Sequence, residues 1–206
     1  MGLLDILLGR TKPVLPDLDR LFALPSAAIT LEAAAGFTPT GTGAVCFATV
    51  EGAAFEQTHR EVQALLDADS ERWGSARPSD AEGEARAPVE LSQDKYGYSW
   101  LVSRRSPDQL SDLVNDLHAV NSSMEVNGFG PQLLCSLASF EGEGGKRLAL
   151  VYLYKRGTFY PFAPLPGDGQ RRDNALELQV KAALADDLRM EQDLSRWFPV
   201  WGAPGL

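Results

Sequence analysis

One run sets the terms for the rest of the chain: Leu148 to Pro166, LALVYLYKRGTFYPFAPLP, the densest apolar and aromatic stretch present. From Leu148 to Tyr154 nearly every residue is apolar, and many are β-branched or aromatic. That composition predicts a strand covered on both faces and central in its sheet. Lys155, Arg156 and Gly157 end it. The following Phe159, Tyr160, Pro161, Phe162, Pro164 and Pro166 read as a loop too rich in proline to continue a ladder. Arg171 and Arg172 come next, and Asp173 or Asn174 can cap a helix running to about Leu188. Aromatic rings and cations concentrated on one loop are the composition of a contact surface. Tyr154, Lys155, Arg156, Phe159, Tyr160, Phe162, Arg171 and Arg172 are therefore the candidate partner-binding residues.

The remaining segments supply hairpins and single helices. Pro16 opens a helix whose apolar face is Leu18, Leu21, Phe22 and Leu24, and Pro25 ends it. Ile29 to Val50 reads as a hairpin, followed by a helix from Ala53 to Glu71. Val89 to Ser103 reads as a second hairpin, and Ser106, Pro107, Asp108 and Gln109 as the start of a helix that Gly128 terminates. Gln132 to Phe140 and Arg147 to Tyr154 make a third. Strand, strand, helix thus recurs three times. Hairpins alternating with single helices predict an α+β fold, a mostly antiparallel sheet with helices packed on it and an N-terminal helical arm. All 206 residues are read as one domain, with a mobile loop at 73–88, where almost nothing after Trp73 can be buried. The C-terminal LSRWFPVWGAPGL is expected to wrap back, because free tryptophans would leave a sticky patch.

Charge and motifs weigh against several functions, although the absence of motifs does not exclude an enzyme. A net charge of −9 opposes nucleic-acid binding, which needs a basic stripe. Cys46 and Cys135 lack the CxxC spacing of metal or redox sites and read as buried free thiols in strands. His59 and His118 lie on predicted helices, without the neighbours that a nucleophile and its base require. Asn115, Asp116 and Asn121 read as helix-surface groups, and Asp186, Asp187, Glu191 and Asp193 as a solvated face. No catalytic residue, metal site or cofactor is expected. Two readings of Arg156, Arg171 and Arg172 stay open: capture of an anion or acidic partner near a helix N-terminus, or pairing with Asp173, Glu177 and their neighbours. The glycines of GFGPQ, residues 128–132, can bring backbone close to another group.

At the N-terminus, residues 2–9 form an amphipathic helix candidate with Leu3, Leu4, Leu7 and Leu8 on one side. It can pack on the core, or dock on a membrane surface or a partner. The run is too short for a signal peptide and no stretch approaches a membrane span, so a cytoplasmic location is expected.

Several segments together carry a resemblance: MGLLDILLGRTKP, PDLDRLFALPSA, DLHAVN, GFGPQLLCSL, LVYLYKRGTFYPFAPL, RRDNALELQVKAAL and RWFPVWGAPGL. They resemble the PspA-associated protein PspAB family of actinobacteria and some archaea, linked with PspA, the phage-shock membrane-stress protein. The resemblance implies a part in the envelope-stress response through binding PspA or another component of its system, as a non-enzymatic adaptor or regulator. Two alternatives stand beside it. One is an enzyme or small-anion-binding protein with a pocket near 128–132 and 156–172; the other is a peripheral membrane protein using residues 2–9.

Overall fold

A computed structural model describes residues 16–49, 52, 55–64, 89–167 and 169–206. The candidate arm Leu3, Leu4, Leu7 and Leu8 and the expected loop at 73–88 lie outside the described residues. The elements run in the order α1 (Leu24–Ala35), β1 (Phe37–Ala48), α2 (55–64), β2 (Glu90–Gln93), β3 (Tyr98–Arg104), α3 (Leu110–Val126), β4 (Leu133–Gly142), β5 (Lys146–Leu153), β6 (Thr158–Phe162) and α4 (Asn174–Ala183). The strands form one sheet in the order β2-β3-β1-β4-β5-β6. Every neighbouring pair is antiparallel. This is the α+β architecture that the hairpin pattern predicts.

The first expected hairpin is corrected. A 3₁₀ turn at Leu18–Ala23 leads directly into α1, so residues 29–35 are helical and β1 has no sequential hairpin partner before it. Pro25 occupies the first turn of α1, where a missing N–H leaves no hydrogen bond unmade. Leu24, Ala27, Ala28 and Leu31 make a buried face at helical spacing, and Gly36 ends the helix in the left-handed conformation. Strand, strand, helix therefore occurs in the second unit and, with an added strand, in the third, but not in the first. In α3 the start falls at Leu110, preceded by Gln109. The Gln109 side chain accepts the Ser106 N–H at 3.3 Å, holding the turn before the helix.

The helices cover one face. Leu21, Leu31, Val45, Phe47, Val114, Leu117, Phe140, Leu150, Tyr152 and Val180 belong to its core, each large aliphatic side chain contributing about 1.5–3 kcal/mol by burial. Arg105 with Asp116, and Asn121 with Ser136, form polar pairs inside this layer. Arg105 donates from Nε and Nη2 to both carboxylate oxygens of Asp116, at 2.8 and 2.7 Å, and Asn121 donates to Ser136 at 2.8 Å. Asp116 and Asn121 are thus buried rather than on the helix surface. In GFGPQ the Gly130 backbone does run close to another group: a Cβ there would lie 3.3 Å from the Tyr154 hydroxyl.

The sheet's other face carries Ala44, Cys46, Trp100, Val102, Cys135, Leu137, Ala149, Val151, Tyr160 and Phe162. No helix covers it. Trp197, Val200, Trp201, Ala203 and Leu206 of the C-terminal segment pack there instead, so that segment folds back as expected.

Residues 158–162 form an edge strand, which corrects the loop reading. Phe159 donates to the Arg189 carbonyl at 2.9 Å and accepts from Glu191 N–H at 2.7 Å, on the side away from β5. Residues two apart point the same way along a strand, so the N–H that Pro161 lacks falls on that outer side. A proline is tolerated there.

Candidate functional site

Strand alternation decides where the expected contact residues go. Tyr154 and Phe159 enter the helix-side core, whereas Tyr160 and Phe162 enter the opposite layer. All four are at most 3% exposed. Their outward-facing role is corrected: successive side chains on a strand point to opposite faces, and here both faces are covered. The cations divide. Arg156 donates to Glu191 at 2.6 Å and Arg172 to Glu177 at 2.9 Å, which favours internal pairing over anion capture for these two. Lys155 and Arg171 are exposed, as is the paired Arg156, with the Lys155 ammonium 2.8 Å from the Pro131 carbonyl.

These pairs anchor the covering segment. Glu177 Oε1 also accepts the Ala163 N–H at 2.8 Å, and a second guanidinium nitrogen of Arg172 donates to the Trp197 carbonyl at 2.6 Å. The Arg172 guanidinium lies 5.0 Å from the Phe162 ring centre, a cation–π arrangement. Glu191, expected in a solvated face, is instead buried and also accepts from Thr158 at 2.9 Å. Burial pushes its pKa up, but the Asp193 N–H, Arg156 and Thr158 outweigh that and hold it below the usual carboxylate value. For Glu177 burial prevails over Arg172 and the Ala163 N–H, and the pKa is raised.

Beneath the C-terminal segment, these anchors leave a cavity of about 600 Å³, within the usual range of small-ligand sites. Its floor is the sheet, with Cys46, Trp100 and Cys135; Tyr160, Phe198 and Trp201 line its walls. The Tyr160 hydroxyl donates to the Phe198 carbonyl at 2.8 Å, and its ring stacks on Trp197 at 5.9 Å. At the mouth, Asp94 accepts from the Tyr96 and Tyr98 N–H groups at 2.8 and 3.1 Å and from Trp100 Nε1 at 2.9 Å. One carboxylate thus orders the β2–β3 turn and fixes the indole. Tyr96, Tyr98 and Phe198 stand exposed around the opening, at 43%, 45% and 59%.

Cys46 and Cys135 are free and directly opposed in the β1–β4 register. The neighbouring Cys135 thiol, then burial, push the Cys46 pKa well above that of an ordinary thiol. Burial likewise pushes up the Tyr160 phenol. The histidines lie with the helices: His118 Nε2 is 3.4 Å from Asp19, and the His59 ring faces Phe55. Neither thiol meets an imidazole. Among the described residues no group of three His, Cys, Asp or Glu side chains could hold a metal ion. The Cys–Cys opposition and the Asp94–Trp100 bond went unseen in the sequence, because both require the strand register.

The fold and site define an α+β protein with one antiparallel sheet, helices on one face and an aromatic-rimmed apolar cavity on the other. A family model described as PspA associated protein B matches residues 1–205. The chain belongs to that family, PspAB. No curated protein and no solved structure matches it. No described helix is long and apolar enough to cross a membrane.

Proposed function

We propose that this chain is a cytoplasmic, non-enzymatic adaptor or regulator of the PspA envelope-stress response, acting through protein–protein contacts. The observation that carries the reading is the family match across residues 1–205, whose description names association with PspA. With the β6 rings committed to the core, the contact surface is assigned to Tyr96, Tyr98 and Phe198. Exposed aromatic side chains grouped at a concave opening are the composition of an interface anchor. Lys155 and Arg171, both exposed, add single cations beyond the two ends of β6.

Pull-down with PspA tests the assignment. The double variant Tyr98→Ala/Phe198→Ala alters only exposed side chains and is expected to weaken capture at least about tenfold, as loss of an interface hot spot does. Lys155→Glu/Arg171→Glu is expected to lower it less and to reduce its salt dependence. Full capture by the aromatic variant with loss in the charge variant would move the surface to the ends of β6. No capture of the native chain under any ionic condition would overturn the adaptor reading.

A further inference from the structure

Cys46 and Cys135 are Cα partners in the ladder between β1 and β4, and their side chains share the sheet face that forms the cavity floor. Directly opposed antiparallel residues have Cα atoms about 4.5–5.5 Å apart. A disulfide spans about 4.4–6.8 Å. The register steps immediately beyond this pair, where Phe47 faces Leu133 and Leu134 is the extra residue, so the ladder is already irregular beside the two thiols. Both sulfurs belong to free cysteines, and the cavity joins them to solvent past Tyr98 and Phe198.

We propose that Cys46 and Cys135 form a dithiol redox site, oxidised reversibly to a β1–β4 disulfide by a small organic disulfide entering the cavity. In the first step one cysteine sulfur attacks the reagent, RSSR. It forms a protein–S–SR bond, loses its proton to solvent and releases RS⁻, which takes up a proton as RSH. In the second step the other cysteine sulfur attacks the protein-bound sulfur, closing the intrachain disulfide and releasing the second RSH. Two protein thiols are oxidised by two electrons while one RSSR is reduced to two RSH. The apolar surroundings favour a neutral reagent. The raised Cys46 pKa makes the exchange slow at neutral pH and faster as pH rises, because the thiolate is the attacking species. In a reducing compartment the pair rests as the dithiol.

The test uses the full chain and bis(2-hydroxyethyl) disulfide, read by intact mass and peptide mapping. The native protein is expected to lose two hydrogen atoms, with a cross-link joining the peptides that contain Cys46 and Cys135, and dithiothreitol should restore the original mass. Cys46→Ser and Cys135→Ser should each stop at a single hydroxyethylthio adduct, since the closing thiol is gone. Oxidation that accelerates from about pH 7 to 9 is expected for thiol chemistry. Stable adducts on both cysteines of the native chain would overturn the proposal. So would a folded protein that stays reduced under conditions where the urea-unfolded chain reacts.

Discussion

Arg172 and Glu177 meet at 2.9 Å, and through this pair the end of β6, the start of α4 and the Trp197 carbonyl are held together. Removing the carboxylate leaves a largely buried guanidinium and the Ala163 N–H without their acceptor. Glu177→Ala is expected to cost about 3 kcal/mol, measured as a lower urea midpoint. Glu177→Gln, which retains an accepting oxygen, should lose less.

The two buried glutamates respond to pH in opposite senses. The Glu191 pKa lies below its reference value of 4.5, so its contribution is present above 4.5 and lost as pH falls through the lower folded value. The Glu177 pKa is raised above 4.5, so its contribution is present below 4.5 and lost as pH rises through the higher folded value. Urea midpoints followed from about pH 3 to 7 should therefore show a shallower acid decline in Glu191→Gln. Glu177→Gln should remove a fall in stability just above the ordinary carboxylate range.

Gly41 has φ +77°, and a Cβ placed there would sit 2.0 Å from the Arg105 carbonyl oxygen. That carbonyl's residue also donates its N–H to the Gly41 oxygen at 2.8 Å, so neither backbone can move away without breaking the contact. Gly41→Ala is expected to cost at least about 2 kcal/mol. Thermal melting should show the loss, whereas Gly144→Ala, with a similar φ of +72° but open space, should be milder.

Trp197 stacks on Tyr160, lies 5.8 Å below the Lys181 ammonium and donates from Nε1 to the Glu191 carbonyl at 3.2 Å. Trp197→Ala should cost about 3–5 kcal/mol. Binding of an apolar dye should rise in the folded variant, because the sheet's second face loses a buried indole that covers it.

How far the sequence could be read varies along the chain for identifiable reasons. The apolar run from Leu148 is β5, paired on both sides and buried on both faces, although it lies next to an edge strand rather than at the middle of the sheet. Asp173 caps α4 by accepting the Leu176 N–H at 3.0 Å, a local signal that the sequence displays directly. Pro25 misled because proline marks a helix start as readily as a stop. Phe159 to Phe162 misled for a different reason. Prolines suit both loops and outer strands, and what distinguishes them here is the return of residues 189–191, about thirty positions away. Cys46 and Cys135 were placed correctly in strands, but their opposition depends on which strands pair, a choice made by packing across the whole sheet.

Residues 194–206 follow all six strands in chain order, yet they supply the cover of the sheet's second face. None of the five strand ladders uses these residues, so the cover can lift without breaking the sheet, and opening is expected to begin there. Amides facing the C-terminal cover should exchange their hydrogens ahead of those under α1 and α3, making Cys46 and Cys135 reachable well before the helical layer loosens.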